Sequence, residues 1–502
     1  MTTLSLATVL AEPARRWPDK VALVEGEQRL TYAEVWDRAL RAAADLTAKG
    51  VGPGTRVALL APNTVDFVVG YYGILAAGGT VVPVPSLLQG QEAAFLVQHS
   101  GAEAVLHHPA LAPIAEHASE LTGRPTWSTT GLGEGVEPLP HPVGRAPEDV
   151  AVIFYTSGTT GHPKGALLTH LNMVMNAVVN AFDFGDLSRD DVVMGALPLF
   201  HVYGQSVSMN TTFRAGGTLV LQPRFEPVSA LELMVREGCT IFAGVPTMFV
   251  FLLQAAEHAS ALPRLRYCNS GGASLPVSVL DAFQGRFDTM VWEGYGLSET
   301  SPVATTNQPA FGQRPGSVGH AVWGVEVEIA DDTVDDRIVL LPQGSRGEIV
   351  IRGHNVFAGY LDDPEATRAA IVDGWFRTGD IGTKDEDGYL FIVDRKKDLI
   401  IRGGFNVYPR EVEEVLMTHP QVNQVAVIGL SDPTRGEEVV AVVVPVEGER
   451  VEPEDLLAFG RERLAHHKYP RRVELVDELP LGPSMKVLKR ELRARFTPKE
   501  ST

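Results

Sequence analysis

Predicted strands and helices alternate along the first part of the chain, and this pattern constrains the fold more than any other feature. A helix, a strand, a buried helix and a second strand are predicted in that order at 30–50, 56–63, 64–79 and 80–85. Thr31 is the expected N-cap of the first helix, and Gly50 marks its end. The alternation recurs around residues 191–300. It is typical of an α/β fold with a largely parallel sheet.

The pattern changes after residue 316. Segments 347–353 and 388–404 predict β-hairpins separated by turns, and a compact α+β unit follows. We expect a large N-terminal domain of α/β lobes and a β-barrel-like subdomain over residues 1–394. A small mobile α+β domain should occupy residues 395–502, joined by a short charged connector. A chain of 502 residues is long enough for both.

Composition excludes several classes of protein. The net charge of −19 argues against nucleic-acid binding and against attraction to anionic membranes. Cys239 and Cys268 are the only cysteines, which fits a reducing cytoplasm. The first twenty residues lack the basic start of a signal peptide. The apolar run 67–85 is interrupted by Gly78, Gly79 and Pro83, so we expect a buried helix and strand rather than a transmembrane segment.

The stretch 155-YTSGTTGHPKG-165 predicts a phosphate-binding loop. It follows the strand-like run 151–155 and combines glycines, hydroxyl side chains and Lys164. A Walker A loop is disfavoured because Pro163 precedes the lysine and Gly165 follows it. A solvated turn remains the alternative interpretation.

Further segments occur in an order that identifies a family. They are 197-LPLFHVYG-204, 269-NSGGASLP-276, 293-EGYGLSET-300, 375-WFRTGD-380, 394-DRKKDLIIRGGFNVYPREVE-413 and 482-GPSMKVLKREL-492. With the loop at 155–165, they resemble the acyl-adenylate-forming superfamily of acyl-CoA synthetases, peptide adenylation domains and luciferases. The resemblance runs from about residue 15 to about residue 495.

The resemblance implies two steps. A carboxylate attacks the α-phosphate of ATP to give acyl-AMP and pyrophosphate, and a thiol, usually that of CoA, then displaces AMP. The implied cofactors are ATP, Mg²⁺ and CoA. The residues that match the family's phosphate loop are Thr156, Ser157, Gly158, Thr159, Thr160, Gly161 and Lys164. Those that match its adenine site are Gly271, Gly272, Ala273, Glu293, Gly294, Tyr295, Gly296 and Ser298.

Other matches imply ribose, hinge and CoA contacts. Asp380 resembles the acceptor of the ribose hydroxyls, since a carboxylate takes two hydrogen bonds. Arg395 resembles a second ribose or phosphate contact, and Lys397 the hinge at which the small domain rotates. The residues that match the CoA side are Gly403, Gly404 and Lys468.

The matches expected to act in the chemistry are Lys486, Glu299, His201 and Thr156. Lys486 resembles the lysine that stabilises charge in the adenylation transition state. Glu299 resembles the ligand of Mg²⁺, which prefers oxygen donors, and His201 a gate beside the acyl carboxylate. Met485 departs from the family, where a glycine usually precedes the lysine, and Lys489 is a rival for the role of Lys486.

The acid is expected to be a hydrophobic monocarboxylic acid. Amino-acid-activating relatives usually carry Asp where this chain has His201, and malonate-type ligases an Arg where it has Gly294. Segments 241–253 and 301–306 near the expected pocket are apolar or small. A medium- or long-chain fatty acid is expected, and an aryl or polycyclic acid stays open.

Alternative functions remain open beside an ATP-dependent acyl-CoA ligase. One is an acyl-AMP ligase that loads an acyl carrier protein, although 347–380 shows no obvious insertion of the kind such enzymes often carry. Another is a non-adenylating relative that binds acyl-adenylate, for which Met485 is the only indication. A luciferase-like oxidation is not specifically supported.

Overall fold

A computed structural model describes residues 3–156, 163–396, 398–482 and 485–497 of the chain. It contains four β-sheets flanked by helices. The expected α/β class is therefore confirmed.

The N-terminal half contains the strands of one sheet and the start of another. They are β1 (Val21–Glu25), β2 (Gln28–Thr31), β3 (Arg56–Leu60), β4 (Thr80–Pro83), β5 (Ala104–His107), β6 (Thr126–Ser128), β7 (Val150–Thr156) and β8 (Lys164–Thr169). Strands β3–β8 form a six-stranded sheet in the order β6-β5-β3-β4-β7-β8. Its neighbours are parallel except β7 and β8.

A nine-stranded sheet forms the second lobe. Its remaining strands are β9 (Val192–Gly195), β10 (Thr218–Leu221), β11 (Ile241–Gly244), β12 (Tyr267–Ser270), β13 (Met290–Gly296), β14 (Val303–Thr306) and β15 (His320–Ala321). The order is β15-β14-β13-β12-β11-β9-β10-β1-β2, and the inner pairs from β1 to β13 are parallel. The carboxyl ends of parallel strands share one edge, which is where such sheets bind ligands.

Two five-stranded sheets follow. The first is antiparallel and contains β16 (Val325–Ala330), β17 (Arg346–Gly353), β18 (Ile371–Val372), β19 (Trp375–Lys384) and β20 (Leu390–Arg395). The second contains β21 (Ile400–Arg402), β22 (Phe405–Val407), β23 (Val422–Asp432), β24 (Gly436–Pro445) and β25 (Arg472–Leu475). The prediction of a hairpin at 388–404 is wrong, because β20 pairs with β19 whereas β21 pairs with β22 and β24.

The α-helices cover the sheets. They are α1 (Thr8–Arg16), α2 (Tyr32–Ala48), α3 (Val65–Ala76), α4 (Gly90–Ser100), α5 (Ala112–Thr122), α6 (His170–Val179), α7 (Thr211–Ala215), α8 (Pro227–Glu237), α9 (Pro246–Ala256), α10 (Val277–Phe287), α11 (Pro364–Ala370), α12 (Pro409–Leu416), α13 (Pro453–Arg463) and α14 (Lys489–Phe496). Two π-helical segments, Asn180–Phe184 and Gly204–Asn210, precede β9 and α7.

Local sequence explains the helix starts and the buried segment. Thr31 caps α2 as predicted, and Glu34 completes a reciprocal capping box with it. The apolar run 67–85 forms most of α3 and then β4, both almost wholly buried, as predicted. Within the described ranges, no helix has the length and apolar character needed to cross a membrane. The main core, which includes Tyr71, Tyr72 and Phe213, packs between the two large sheets.

Candidate active site

The segment before α14 places Lys486 against the large lobes. A Cβ added to Gly272, in the loop after β12, would lie 3.0 Å from Cε and 3.4 Å from Nζ of Lys486. The Thr247 hydroxyl donates to the Met485 carbonyl at 2.9 Å, which ties the same segment to the start of α9. Burial and repulsion by Arg395 lower the pKa of Lys486 to about 8. The structure thus brings the predicted lysine into the site.

Met485 has the backbone conformation that a glycine would be expected to supply. Its φ is +61°, in the left-handed region. Its N–H donates to the Gly482 carbonyl at 2.9 Å, and the Gly482 N–H donates to the Lys486 carbonyl at 2.7 Å. Its side chain packs against the apolar cluster of the nine-stranded sheet. The departure from the family pattern therefore keeps a tight turn at the cost of backbone strain.

The rival lysine lies elsewhere. Lys489 Nζ is 2.7 Å from Glu413 Oε1, within the C-terminal unit. Glu413 also accepts from the Val427 N–H at 2.7 Å. Lys489 therefore pairs α14 with α12 and is occupied by a structural contact.

Asp380, Tyr295 and Arg395 form one hydrogen-bonded group. The Tyr295 hydroxyl donates to Asp380 Oδ2 at 2.6 Å, and Arg395 Nε lies 3.2 Å from Asp380 Oδ1. Asp380 and Arg395 face each other across the β19–β20 pair. Asp380 is buried, whereas about half of the Arg395 side chain is exposed. The geometry suits a carboxylate that accepts from a nucleoside sugar beside an aromatic ring.

Glu299 lies in the turn Ser298–Thr300, next to the end of the phosphate loop. The Tyr360 hydroxyl donates to Glu299 Oε1 at 2.9 Å, and burial raises the pKa of this carboxyl. Lys164 Nζ lies 5.2 Å from the centre of the Tyr360 ring and 3.7 Å from Asp363 Oδ2. Thr156 pairs with Lys164 across β7 and β8. The predictions for 157–161 and for Lys397 lie outside the described residues.

The Glu299 site fits Mg²⁺ as a partial ligand set. The described ranges contain no cluster of three or more His, Cys, Asp or Glu side chains arranged to hold a metal. Mg²⁺ commonly takes one or two protein carboxylates, with phosphate and water oxygens as its other ligands. A buried carboxylate near the phosphate loop meets that requirement.

Some of the residues matched to the adenine site are exposed, and others are buried and hold the loop in place. Gly272 and Ala273 are exposed. Glu293 is buried and accepts from the Leu275 N–H at 3.1 Å, and burial raises its pKa to about 7. A Cβ on Gly296 would lie 1.7 Å from the Pro302 carbonyl oxygen, which excludes any larger residue. Glu293 thus fixes the loop on which Gly272 and Ala273 are presented.

The other residues matched to the adenine site lie nearby. Ser298 begins the turn that carries Glu299. Gly294 is partly buried on β13, opposite Thr306 of β14. Gly271 follows β12, and a Cβ there would lie 3.2 Å from the Tyr203 ring.

His201 lies near this surface and is neutral. Its Nδ1 accepts from the Tyr203 N–H at 3.2 Å, which leaves the proton of the neutral ring on Nε2. Burial and the nearby Lys486 lower the pKa of His201 to about 3. The Tyr203 hydroxyl donates to the Asn269 carbonyl at 3.2 Å. Sequence patterns did not indicate Tyr203, Tyr360 or Thr247, because their partners are distant along the chain.

The residues matched to CoA lie on the C-terminal unit. Gly403 and Gly404 form the exposed turn of the β21–β22 hairpin, with φ of +58° and +82°. A Cβ on either glycine would meet no atom within 4 Å among the described residues. Lys468 Nζ is 2.6 Å and 2.8 Å from the two Glu411 oxygens. The hairpin turn is therefore open, while Lys468 is engaged in an ion pair.

These elements bring Lys486 and His201 together with the Tyr295–Asp380–Arg395 group, beside the loop that carries Gly272. Residues 10–361 match the AMP-binding enzyme family, and residues 411–486 match the AMP-binding enzyme C-terminal domain. The chain therefore belongs to the AMP-binding enzymes, within the acyl-adenylate-forming superfamily, and it is an AMP-forming acid–thiol ligase.

Sequence relatives cover nearly the whole chain. A feruloyl-CoA synthase from Amycolatopsis sp is 39% identical over 96% of this chain and 97% of its own length. A long-chain-fatty-acid–CoA ligase from Bacillus subtilis (strain 168) is 35% identical over 97% of this chain and 94% of its own length.

Two structures of one solved relative differ in their likeness to this chain. ATP-bound MatB from Rhodopseudomonas palustris is 34% identical, covers 98% of this chain and 99% of its own, and has a TM-score of 0.90. The apo structure of the same protein has the same identity, covers 99% of each chain and has a TM-score of 0.78. The likeness of this chain to the ATP-bound structure is therefore the greater of the two.

Proposed function

We propose that this chain activates a hydrophobic monocarboxylic acid with ATP as an acyl-adenylate and transfers the acyl group to CoA. The observation that carries the proposal is the approach of Lys486 to Gly272, beside neutral His201 and the Tyr295–Asp380–Arg395 group. Relatives named for feruloyl-CoA and long-chain-fatty-acid–CoA synthesis support a hydrophobic acid.

In the first step, a carboxylate oxygen bonds to the α-phosphorus of ATP and pyrophosphate leaves. The Lys486 ammonium stabilises negative charge that develops on the α-phosphate. Tyr295 supports the adenine, and Asp380 accepts from the ribose hydroxyls. Mg²⁺, held by Glu299 and phosphate oxygens, would neutralise charge on the departing pyrophosphate. Lys164 approaches the same phosphates from the end of the loop.

Neutral His201 is suited to contact the carboxylate of the acid without forming an ion pair with it. Its low pKa keeps it uncharged, so it forms no ion pair with the carboxylate before attack. Lys486, beside His201, is partly buried and desolvated, so the carboxylate of the acid would meet it away from bulk water. Exclusion of water strengthens the electrostatic attraction between this carboxylate and the Lys486 ammonium.

In the second step, the CoA sulfur bonds to the acyl carbon and AMP leaves. Lys486 fills the approach beside Gly272 in the present arrangement. We infer that the C-terminal unit rotates after adenylation, so that the open Gly403–Gly404 turn replaces Lys486 at the acid. The two buried, free cysteines are consistent with a reducing cytoplasm as the site of the reaction.

Mass spectrometry of single reactions tests the proposal. The enzyme is incubated with ATP, Mg²⁺ and a panel of fatty, aryl and polycyclic acids, with and without CoA. We expect acyl-AMP without CoA and acyl-CoA with it. Acyl-AMP with no acyl-CoA would indicate a carrier-protein acceptor, and the absence of acyl-AMP with every acid would contradict the proposal.

A further inference from the structure

A small cavity lies against strands β9, β11 and β12 of the nine-stranded sheet. It has a volume of about 10 Å³, enough for one water molecule. Val207, Ile241 and Ala243 supply part of its apolar wall, and Asn180 and Asn269 supply amides. Ala243 and Asn269 are opposite each other on β11 and β12. Thr211 and Tyr267 also line the cavity, and the Thr211 hydroxyl donates to the Ser206 carbonyl at 2.9 Å. The cavity is therefore largely apolar, with the two amides and two hydroxyl-bearing residues as its polar members.

Both amides have an oxygen without a hydrogen-bond partner among the described residues. Asn180 Nδ2 donates to the carbonyl and to Oδ1 of Asn176, both at 2.8 Å, which fixes the amide orientation. Oδ1 of Asn180 and Oδ1 of Asn269 are buried and unpaired. Asn180 is only 1% exposed. An unpaired buried acceptor is costly, so the pair is suited to a hydroxyl donor.

Two π-helical segments also contribute residues to the cavity. Asn180 begins one π-helical segment, and Val207 lies in the other. Such segments are rare and are frequent at functional sites, where the extra residue changes the direction of side chains. The two segments bring Asn180 and Val207 to the same cavity from different parts of the chain.

The cavity lies within reach of the reacting carboxylate. Asn269 precedes Gly272 by three residues, so their Cα atoms are at most about 11 Å apart. Gly272 contacts Lys486, and Tyr203 bridges from Gly271 to the Asn269 carbonyl. The free volume holds one hydroxyl group and not the tail of a long acyl chain.

We propose that Asn180 and Asn269 form a hydroxyl-recognition subsite at the inner end of the acid pocket. The preferred acid is then an aryl acid with a hydroxyl group remote from its carboxylate, and this hydroxyl occupies the cavity. This inference rests on the proposed ligase function and narrows its substrate class. Discrimination follows because the hydroxyl donates to one of the two buried amide oxygens, and an acid without the hydroxyl leaves that acceptor unpaired.

Matched acid pairs test the subsite. We expect kcat/KM for para-hydroxycinnamic acid to exceed that for cinnamic acid by about 10- to 100-fold, with para-hydroxybenzoic and benzoic acids as a shorter pair. Asn269→Leu and Asn180→Leu should each reduce this ratio toward one. Decanoic acid should be a poorer substrate than the hydroxylated aryl acids.

Controls separate recognition from folding. Ser208→Ala removes another buried, unpaired hydroxyl from the same π-helical segment as Val207 without altering the cavity lining, and should leave the ratio unchanged. A folding defect lowers activity with both acids and does not change their ratio. A wild-type ratio near one, or a ratio that survives both asparagine substitutions, overturns the inference.

Calorimetric titration of the same acid pairs into the full chain provides a readout that does not need turnover. Stronger binding of the hydroxylated acid, lost in Asn269→Leu, supports the subsite even if thioester formation is absent. Equal binding of both acids overturns it. Failure of the proposed ligase function would appear separately, as binding without acyl-AMP.

Discussion

Lys486 is held among buried groups and near a second cation, Arg395, while Asp380 opposes their effect. Its ammonium form is therefore less stable than that of a lysine in water. The protonated form carries the charge that adenylation needs, and this form predominates only below the pKa of about 8. With the role proposed for Lys486, we expect the protonation state of this side chain to set the alkaline limit of the first step.

We predict that kcat/KM for ATP in acyl-AMP formation is constant below pH 8 and falls by about tenfold per pH unit above it. Lys486→Arg should be slower but keep its rate above pH 8, because arginine stays charged. Stopped-time assays of acyl-AMP across pH 6 to about 10 provide the measurement. If kcat/KM of Lys486→Arg falls above pH 8 in the same way, a group other than residue 486 causes the decline.

Lys486→Ala separates the two steps. We expect acyl-AMP formation to fall by about 100-fold or more, since one positioned charge stabilises the transition state. Thioester formation from supplied acyl-AMP should change little. Equal losses in both half-reactions would contradict the role of Lys486.

Met485 links backbone strain to the same lysine. A β-branched residue at φ +61° is a steric outlier, so Met485→Val should slow acyl-AMP formation by about 5- to 30-fold, equivalent to about 1–2 kcal/mol. Met485→Gly should equal or exceed the wild-type rate, because glycine adopts this φ freely. An equal loss of acyl-AMP formation in both variants would show that the rate depends on packing of the Met485 side chain and not on the φ angle.

Sequence motifs predicted individual site residues but not the residues with which they form hydrogen bonds. Lys486 and Asp380 were expected in one site, and the structure places both near Arg395. The Tyr295–Asp380 bond joins residues 85 positions apart, and the Tyr360–Glu299 bond joins residues 61 apart. No local pattern predicts such pairs, because they depend on how separate sheets meet.

At the scale of elements, short-range periodicity predicted helices and strands but not every strand pairing. α2, α3 and β4 followed from capping and burial patterns, which are local. The segment 388–404 has two strands with a turn between them, as a hairpin would. The chain changes sheets there, and the choice of partner strand depends on distant residues.

The β21–β22 turn is expected to act only in the second step. Gly403→Val should reduce acyl-CoA formation by about tenfold, because it adds bulk and strain at an open turn with φ +58°. Acyl-AMP formation should remain near the wild-type rate. Both half-reactions are measured by mass spectrometry of quenched samples.

Gly448→Val is the matched control for the turn. Gly448 also has positive φ, +81°, and open surroundings, and it lies in the same C-terminal unit. It should leave both half-reactions unchanged. Normal CoA transfer in Gly403→Val, or equal damage in the two variants, would contradict the assignment of the hairpin to CoA.

At the scale of the whole molecule, the C-terminal unit rests on the large lobes through a few contacts. The Thr247–Met485 bond is one, and Gln254 Nε2 donates to Asn423 Oδ1 at 3.3 Å as another. The higher TM-score to the ATP-bound relative than to its apo form agrees with this arrangement. Domains of one chain commonly move relative to each other.

A crosslink between Gln254→Cys and Asn423→Cys should hold the adenylation arrangement. Because Cys239 and Cys268 are buried, a short bismaleimide would react with the introduced pair. We expect the crosslinked enzyme to form acyl-AMP and to lose acyl-CoA formation from supplied acyl-AMP. Each single-cysteine variant, treated identically, serves as control. Undiminished CoA transfer in the crosslinked enzyme would show that no rotation is needed.

The acid cavity and the reactive lysine come from separate parts of the chain. The cavity is built by residues between Asn180 and Asn269, whereas Lys486 arrives from the C-terminal unit. Mutations confined to the cavity lining are therefore expected to alter the choice of acid, while Lys486 and the other residues proposed for adenylation stay unchanged. A mutant library confined to the cavity lining would therefore test new acids as substrates without changing the residues proposed for adenylation.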